Sequence, residues 1–94
     1  MATFEEVYQL IKIIDNKLKN RFKNKNLNYI GKIEIENCGI EIHFLEKGCP
    51  KIYHKRGRIH KYSLKNNLRF IIQEYNLNFD DFHNKFEEVL IQIL

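Results

Sequence analysis

Residues 29–46 read YIGKIEIENCGIEIHFLE, and their alternation decides the fold. Successive side chains of a strand point to opposite faces. Tyr29 to Glu36 therefore puts Ile33 and Ile35 on one face and Lys32, Glu34 and Glu36 on the other. Ile40 to Glu46 repeats the pattern, with Ile40, Ile42 and Phe44 together. Pairing Ile35 with Ile40 and Ile33 with Ile42 gathers the apolar residues on one face. It leaves Asn37-Cys38 as the turn, flanked by Glu36 and Gly39. A slip of one residue would carry one strand's apolar set into water, so the hydrophobic pattern specifies this register. The outer face then holds Glu34, Glu36, Glu41 and His43, and is acidic.

Lys47-Gly48-Cys49-Pro50 reads as the next turn, with Pro50 outside the ladder. Beyond it, residues 51–62 read KIYHKRGRIHKY, with two tyrosines, no acid and seven cationic residues when His54 and His60 are protonated. A glycine at Arg56-Gly57 suits a two-residue turn that needs positive φ. That turn predicts the pairs Lys55–Arg58, His54–Ile59, Tyr53–His60, Ile52–Lys61 and Lys51–Tyr62. One face then carries Ile52, His54, Ile59 and Lys61. The other carries Lys51, Tyr53, Lys55, Arg58, His60 and Tyr62, cations interleaved with flat rings.

Helices flank the strands. Thr3-Phe4-Glu5-Glu6 is a capping box opening a helix from Thr3 to about Lys23. Its stripe is Val7, Ile11, Ile14, Leu18 and Phe22, widened by Phe4, Tyr8, Leu10 and Ile13, so the helix is expected to be gripped on more than one side. Lys17, Lys19, Arg21, Lys23 and Lys25 crowd its last turn and tail, where cations complement the helix dipole. Asn24, Asn26 and Asn28 end it. Ser63 caps a second helix with Leu64, Leu68, Ile71, Ile72 and Tyr75 at helical spacing. Asn76-Leu77-Asn78 breaks it, and a third helix follows with Phe79, Phe82, Phe86, Val89, Leu90 and Ile93 as its stripe. Leu77 is placed to staple onto Phe82, and the short break predicts a helical hairpin or angled pair. Ile91 and Leu94 fall partly outside the stripe, and a buried chain end is the expectation for them, with a homodimer through the C-terminal helix as the other use.

The expected architecture is thus α+β, one compact domain over residues 1–94, in the order α-β-β-β-β-α-α. An antiparallel meander of three to four strands packs against an N-terminal helix and a C-terminal helix pair. Ninety-four residues supply one modest core. The apolar fraction of 44% argues against disorder. The N-terminus, MATFEEVYQL, carries acids where a signal peptide needs cations. No apolar run approaches the ~18 residues of a membrane span. A soluble, cytoplasmic protein with reduced thiols, and no membrane partner, is expected.

The net charge of +4 is mild, and its placement says more than its size. Cys38, Cys49, His43, His54, His60 and His83 are potential metal ligands, but Cys49 and His54 are five apart, His54 and His60 six, and no CxxC or HxxxH occurs. No metal or cofactor is therefore expected. No GxSxG, glycine-rich phosphate loop or HExxH is present, so no catalytic residue is assigned. The hairpin remains. Lysines and arginines contact phosphates and release counterions, while tyrosines stack on unpaired bases. A non-enzymatic binding module is expected. Lys51, Tyr53, Lys55, Arg56, Arg58, His60, Lys61 and Tyr62 form its surface, with Lys19, Arg21, Lys23 and Lys25 as a secondary basic patch. The expected partner is RNA, single-stranded DNA, or an acidic or nucleoprotein surface. Arginine and tyrosine also dominate protein hot spots, so the alternative is an inhibitor or adaptor. Phages and mobile elements direct such proteins at host defence enzymes, CRISPR effectors among them. A third reading is a small RNase toxin, in which Tyr53, His60, Arg58, Lys55 and Tyr62 supply acid, base and cations.

Overall fold

The capping box at Thr3 starts the chain's first element. Glu6 N donates to Thr3 Oγ1 at 3.2 Å, and Glu6 Oε1 accepts from Thr3 N at 3.3 Å. In the computed structural model, which describes residues 2–35, 39–54, 57–59, 63–74, 76 and 78–93, helix α1 runs Phe4–Arg21. It stops at Phe22, and Asn24 and Asn26 then take left-handed φ of 65° and 55°, which asparagine tolerates better than most residues. The helix ends slightly earlier than its run of cations suggested, because these asparagines turn the chain.

Strands β1 (Tyr29–Ile35), β2 (Ile40–Leu45) and β3 (Lys51–His54) form an open antiparallel sheet in sequence order. A three-residue segment, β4 (Gly57–Ile59), pairs with β3 at the edge. Helices α2 (Leu64–Glu74) and α3 (Phe79–Ile93) complete the chain. Ser63 caps α2 through its hydroxyl, and Asn78 caps α3 by accepting from Asp80 N at 2.8 Å. The small α+β order read from the sequence is therefore the observed one. Leu77 lies outside the described residues, so its staple does too.

The β1–β2 register follows the isoleucines: Ile35 faces Ile40 and Ile33 faces Ile42. The β3–β4 register does not follow the glycine. Ile52 pairs with Ile59, Tyr53 with Arg58 and His54 with Gly57. The predicted pairs slip by two residues, and Gly57 moves from the centre of the turn to its flank. Cross-strand pairing preference gives the physical reason for the correction. The predicted register set Ile52 against Lys61, whereas the observed one sets isoleucine against isoleucine. A slip of two keeps every residue on its face, so alternation cannot distinguish the two registers.

All three helices cover one side of the sheet, where Ile33, Ile35, Ile40, Ile42, Phe44 and Ile52 meet Val7, Ile11, Ile14, Leu68, Ile71, Phe82 and Phe86. His54 also points inward and is only 8% exposed. The main helix–helix contact is α1 with α3, so α3 lies along α1 more than against α2. Phe4 anchors that junction, edge-on to Phe79 at 6.4 Å, with the Arg69 guanidinium 4.7 Å from its ring centre. Ala2 N donates to Asp80 Oδ1 at 2.6 Å across the same junction. The stripe of α1, widened by Phe4, Tyr8 and Leu10, thus packs against both the sheet and α3, whereas Ile13, expected in it, is 41% exposed and lies outside the core. The chain end corrects another expectation: Ile91 is 71% exposed, off the α3 stripe whose buried members are Phe82 and Phe86. Leu94 lies outside the described residues.

Candidate functional site

The outer face of the sheet carries no helix, and its residues stay exposed or half-buried while their neighbours are buried. Tyr29 reaches this face through a bulge. Between Tyr29 and Gly31 the β1–β2 register shifts by one residue. A bulge inserts an extra residue and resets the alternation beyond it. Ile30 consequently turns inward together with Ile33, and Tyr29 turns outward at 48% exposure. Strict alternation would have set Tyr29 with Ile33 and Ile35 in the core.

Three rings then cross three strands. Tyr29 meets His43 edge-on at 5.6 Å, and His43 stacks on Tyr53 at 4.1 Å with 29° between their planes. His43 and Tyr53 come together because β2–β3 pairing sets Glu41 opposite Tyr53 and His43 opposite Lys51, leaving the two rings on the diagonal. Diagonal neighbours on one face lie within reach of aromatic side chains.

Around the rings is a mixed set of charges. His43 Nε2 lies 2.8 Å from Glu41 Oε1, and Lys32 Nζ lies 2.8 Å from Glu34 Oε1 and 3.6 Å from Glu41 Oε2. The hydrogen bond from His43, with the nearby Lys32 charge, holds the Glu41 carboxyl below its ordinary value. Hydrogen bonding to Glu34, then the charges of Glu34 and Glu41, raise the Lys32 ammonium. An exposed carboxyl titrating below its unfolded value adds stability above the ordinary carboxylate range, and this is lost as pH falls through the lowered value. His43→Ala should therefore raise the Glu41 pKa toward that of a free glutamate in an NMR pH titration. An unchanged Glu41 would mean that Lys32, not His43, sets it.

The sequence divided this surface into an acidic hairpin and a basic hairpin. The sheet joins them: Glu34 and Glu41, held by Lys32 and His43, share the outer face with Lys51 and Tyr53. Lys51 and Tyr53 stand on β3, both half-buried, and Arg58 is opposite Tyr53 in register. Lys55, Arg56, His60, Lys61 and Tyr62 lie outside the described residues. In the secondary patch, Lys19 is already engaged, at 3.0 Å from Asp15 Oδ2 and donating to Gly48 O at 2.6 Å. Arg21, Lys23 and Lys25 are exposed. Tyr29 and His43 were missed as members of a ring row. The three-residue step from Ile30 to Ile33 across Gly31 is the sequence signal of the bulge that places Tyr29 there.

Elsewhere, His83 of α3 lies 3.2 Å from Glu87 and 3.8 Å from Glu6. Cys49 is exposed with a free thiol, and Cys38 lies outside the described residues. Among the described residues no cluster of His, Cys, Asp and Glu is arranged to hold a metal ion, and no helix is long and apolar enough to cross a membrane. Compared with protein-family models, curated proteins and solved structures, the chain finds no match.

Proposed function

We propose that this protein is a non-enzymatic binding module whose open sheet face and basic 51–62 hairpin contact single-stranded nucleic acid, free or within a nucleoprotein. The observation that carries this reading is the row Tyr29–His43–Tyr53 crossing the uncovered face beside Lys51. Aromatic rings stack on bases of any sequence, contributing ~1–3 kcal/mol per base, and flanking cations hold the phosphates. Arg58 is opposite Tyr53 in register, and the remaining cations of 51–62 are its neighbours in the sequence. Glu34 and Glu41 are each engaged on the sheet, both by Lys32 and Glu41 also by a hydrogen bond from His43, which lessens their opposition to a phosphate. Nucleic acid would then concentrate at the β3–β4 side, where the cations outnumber the acids.

The test is an anisotropy titration with short single-stranded RNA and DNA at low and moderate salt. Tyr53→Ala should weaken binding about tenfold, the order expected from losing one stacked base. Equal affinity of the variant and wild type would remove the rings from the site. A wild type that binds no nucleic acid at low salt would redirect the search to a protein partner.

A further inference from the structure

The last described β3–β4 pair, His54–Gly57, and the tail of α1 lie toward opposite ends of β3. His54, beside the turn, pairs with Ile40 at one end of the sheet; Lys51 pairs with His43 toward the other. Tyr29 pairs with Leu45 at that second end, so the tail of α1 and the β2–β3 turn are gathered there. Three contacts fix them. Lys19 Nζ bridges Asp15 on its own helix to Gly48 O in the turn. Glu46 N donates to Asn28 O at 3.3 Å. Lys25 N donates to Phe22 O at 3.3 Å, and left-handed Asn24 and Asn26 set the path between.

The result is a polar cleft of about 220 Å³ lined by Asn26, Asn28, Glu46 and Lys47. Arg21, Lys23 and Lys25, all exposed, precede Asn26 and Asn28 in the chain, and Lys47 is itself exposed. Asn28 is followed directly by Tyr29, the first ring of the row. The cleft therefore adjoins one end of the row, as the hairpin adjoins the other.

We infer that the α1 tail and the β2–β3 turn form a second nucleic-acid contact. A single strand would cross the open face from the hairpin, over Tyr53, His43 and Tyr29, to the cleft. This rests on the nucleic-acid reading of the face. Asparagine amides both donate and accept, so Asn26 and Asn28 suit a base edge or sugar, while Arg21, Lys23, Lys25 and Lys47 take phosphates. Glu46 is the one acid of the cleft, and it favours a base amino group over a phosphate there. Cations carried on a pinned tail lose less freedom on binding than cations on a free coil. Lys19 takes no part, because it is spent on the clamp.

Two contacts at the ends of one track predict a dependence on strand length. Oligonucleotides of about four and about twelve nucleotides bracket the site sizes of small single-strand binders. The wild type should prefer the longer strand. An Arg21/Lys23/Lys25→Ala variant, shown folded by circular dichroism, should lose that preference. Its slope of log affinity against log salt for the long strand should be shallower by about 2, from three phosphate contacts at ~0.7 each. Lys47→Ala, a single change in an exposed turn, should lower the slope by about 0.7. If both variants match the wild type with the long strand while a hairpin variant loses binding, the second contact is wrong and the hairpin reading stands. If the wild type binds neither strand, both readings fall.

Discussion

Replacing Phe86 with alanine should cost about 3–5 kcal/mol of folding stability, the range for removing a buried aromatic ring. Phe86 is fully buried on α3 and meets Phe82 edge-on at 6.0 Å. Both rings belong to the cluster that also holds Ile11 and Ile14 of α1 and Ile33 of β1. Removing the ring takes away its burial and opens a void that helices pinned at the Phe4–Phe79 junction are poorly able to close. Chemical denaturation followed by circular dichroism measures the loss. A change below about 1 kcal/mol would mean that α3 does not seal the core through this side chain.

Ile42→Ala is the second large effect, at about 2–5 kcal/mol. Ile42 occupies the middle of β2, with Ile33 opposite on β1 and Ile52 opposite on β3. It is fully buried, so one truncation weakens two cross-strand contacts and the packing beneath the helices. Its neighbours Glu41 and His43 face the other way. The variant should therefore keep the outer face intact while losing stability. A near-neutral result in the same denaturation experiment would contradict the inward assignment of the β2 stripe.

Much of this was legible in the sequence because local and long-range signals agreed. The isoleucines of IEIENCGIEI admit one register that keeps them all dry, and the structure adopts it. Thr3 and Glu6 name their own cap, and the pair forms. The β3–β4 register was not legible, because a two-residue slip leaves every side chain on its face. Only the gain from pairing Ile52 with Ile59 separates the alternatives. Alternation also failed at Tyr29, where the bulge reverses the phase of β1 and sends a tyrosine outward. Helical stripes told which side of α3 is apolar but not that α1 would be its main partner. Lys19 looked like one cation among five; only the approach of the β2–β3 turn to α1 gives it a structural task.

The acids of β1–β2 and the cations of β3 looked like separate surfaces for a related reason. The facing of each hairpin's residues was legible alone, whereas the β2–β3 pairing that merges their outer faces is set across a turn with weak register signals. The merged face is a row of rings beside Lys51, with the acids held by their own partners.

That surface is tested most directly by measuring the affinity of single-stranded RNA and DNA at low and moderate salt. The comparison is wild type against a Lys55/Arg56/Arg58→Ala variant that circular dichroism shows to be folded. Wild-type binding should weaken steeply with salt, and the variant should lose most of its affinity. Absence of wild-type binding at low salt, or equal binding by the variant, would contradict a nucleic-acid site at the hairpin.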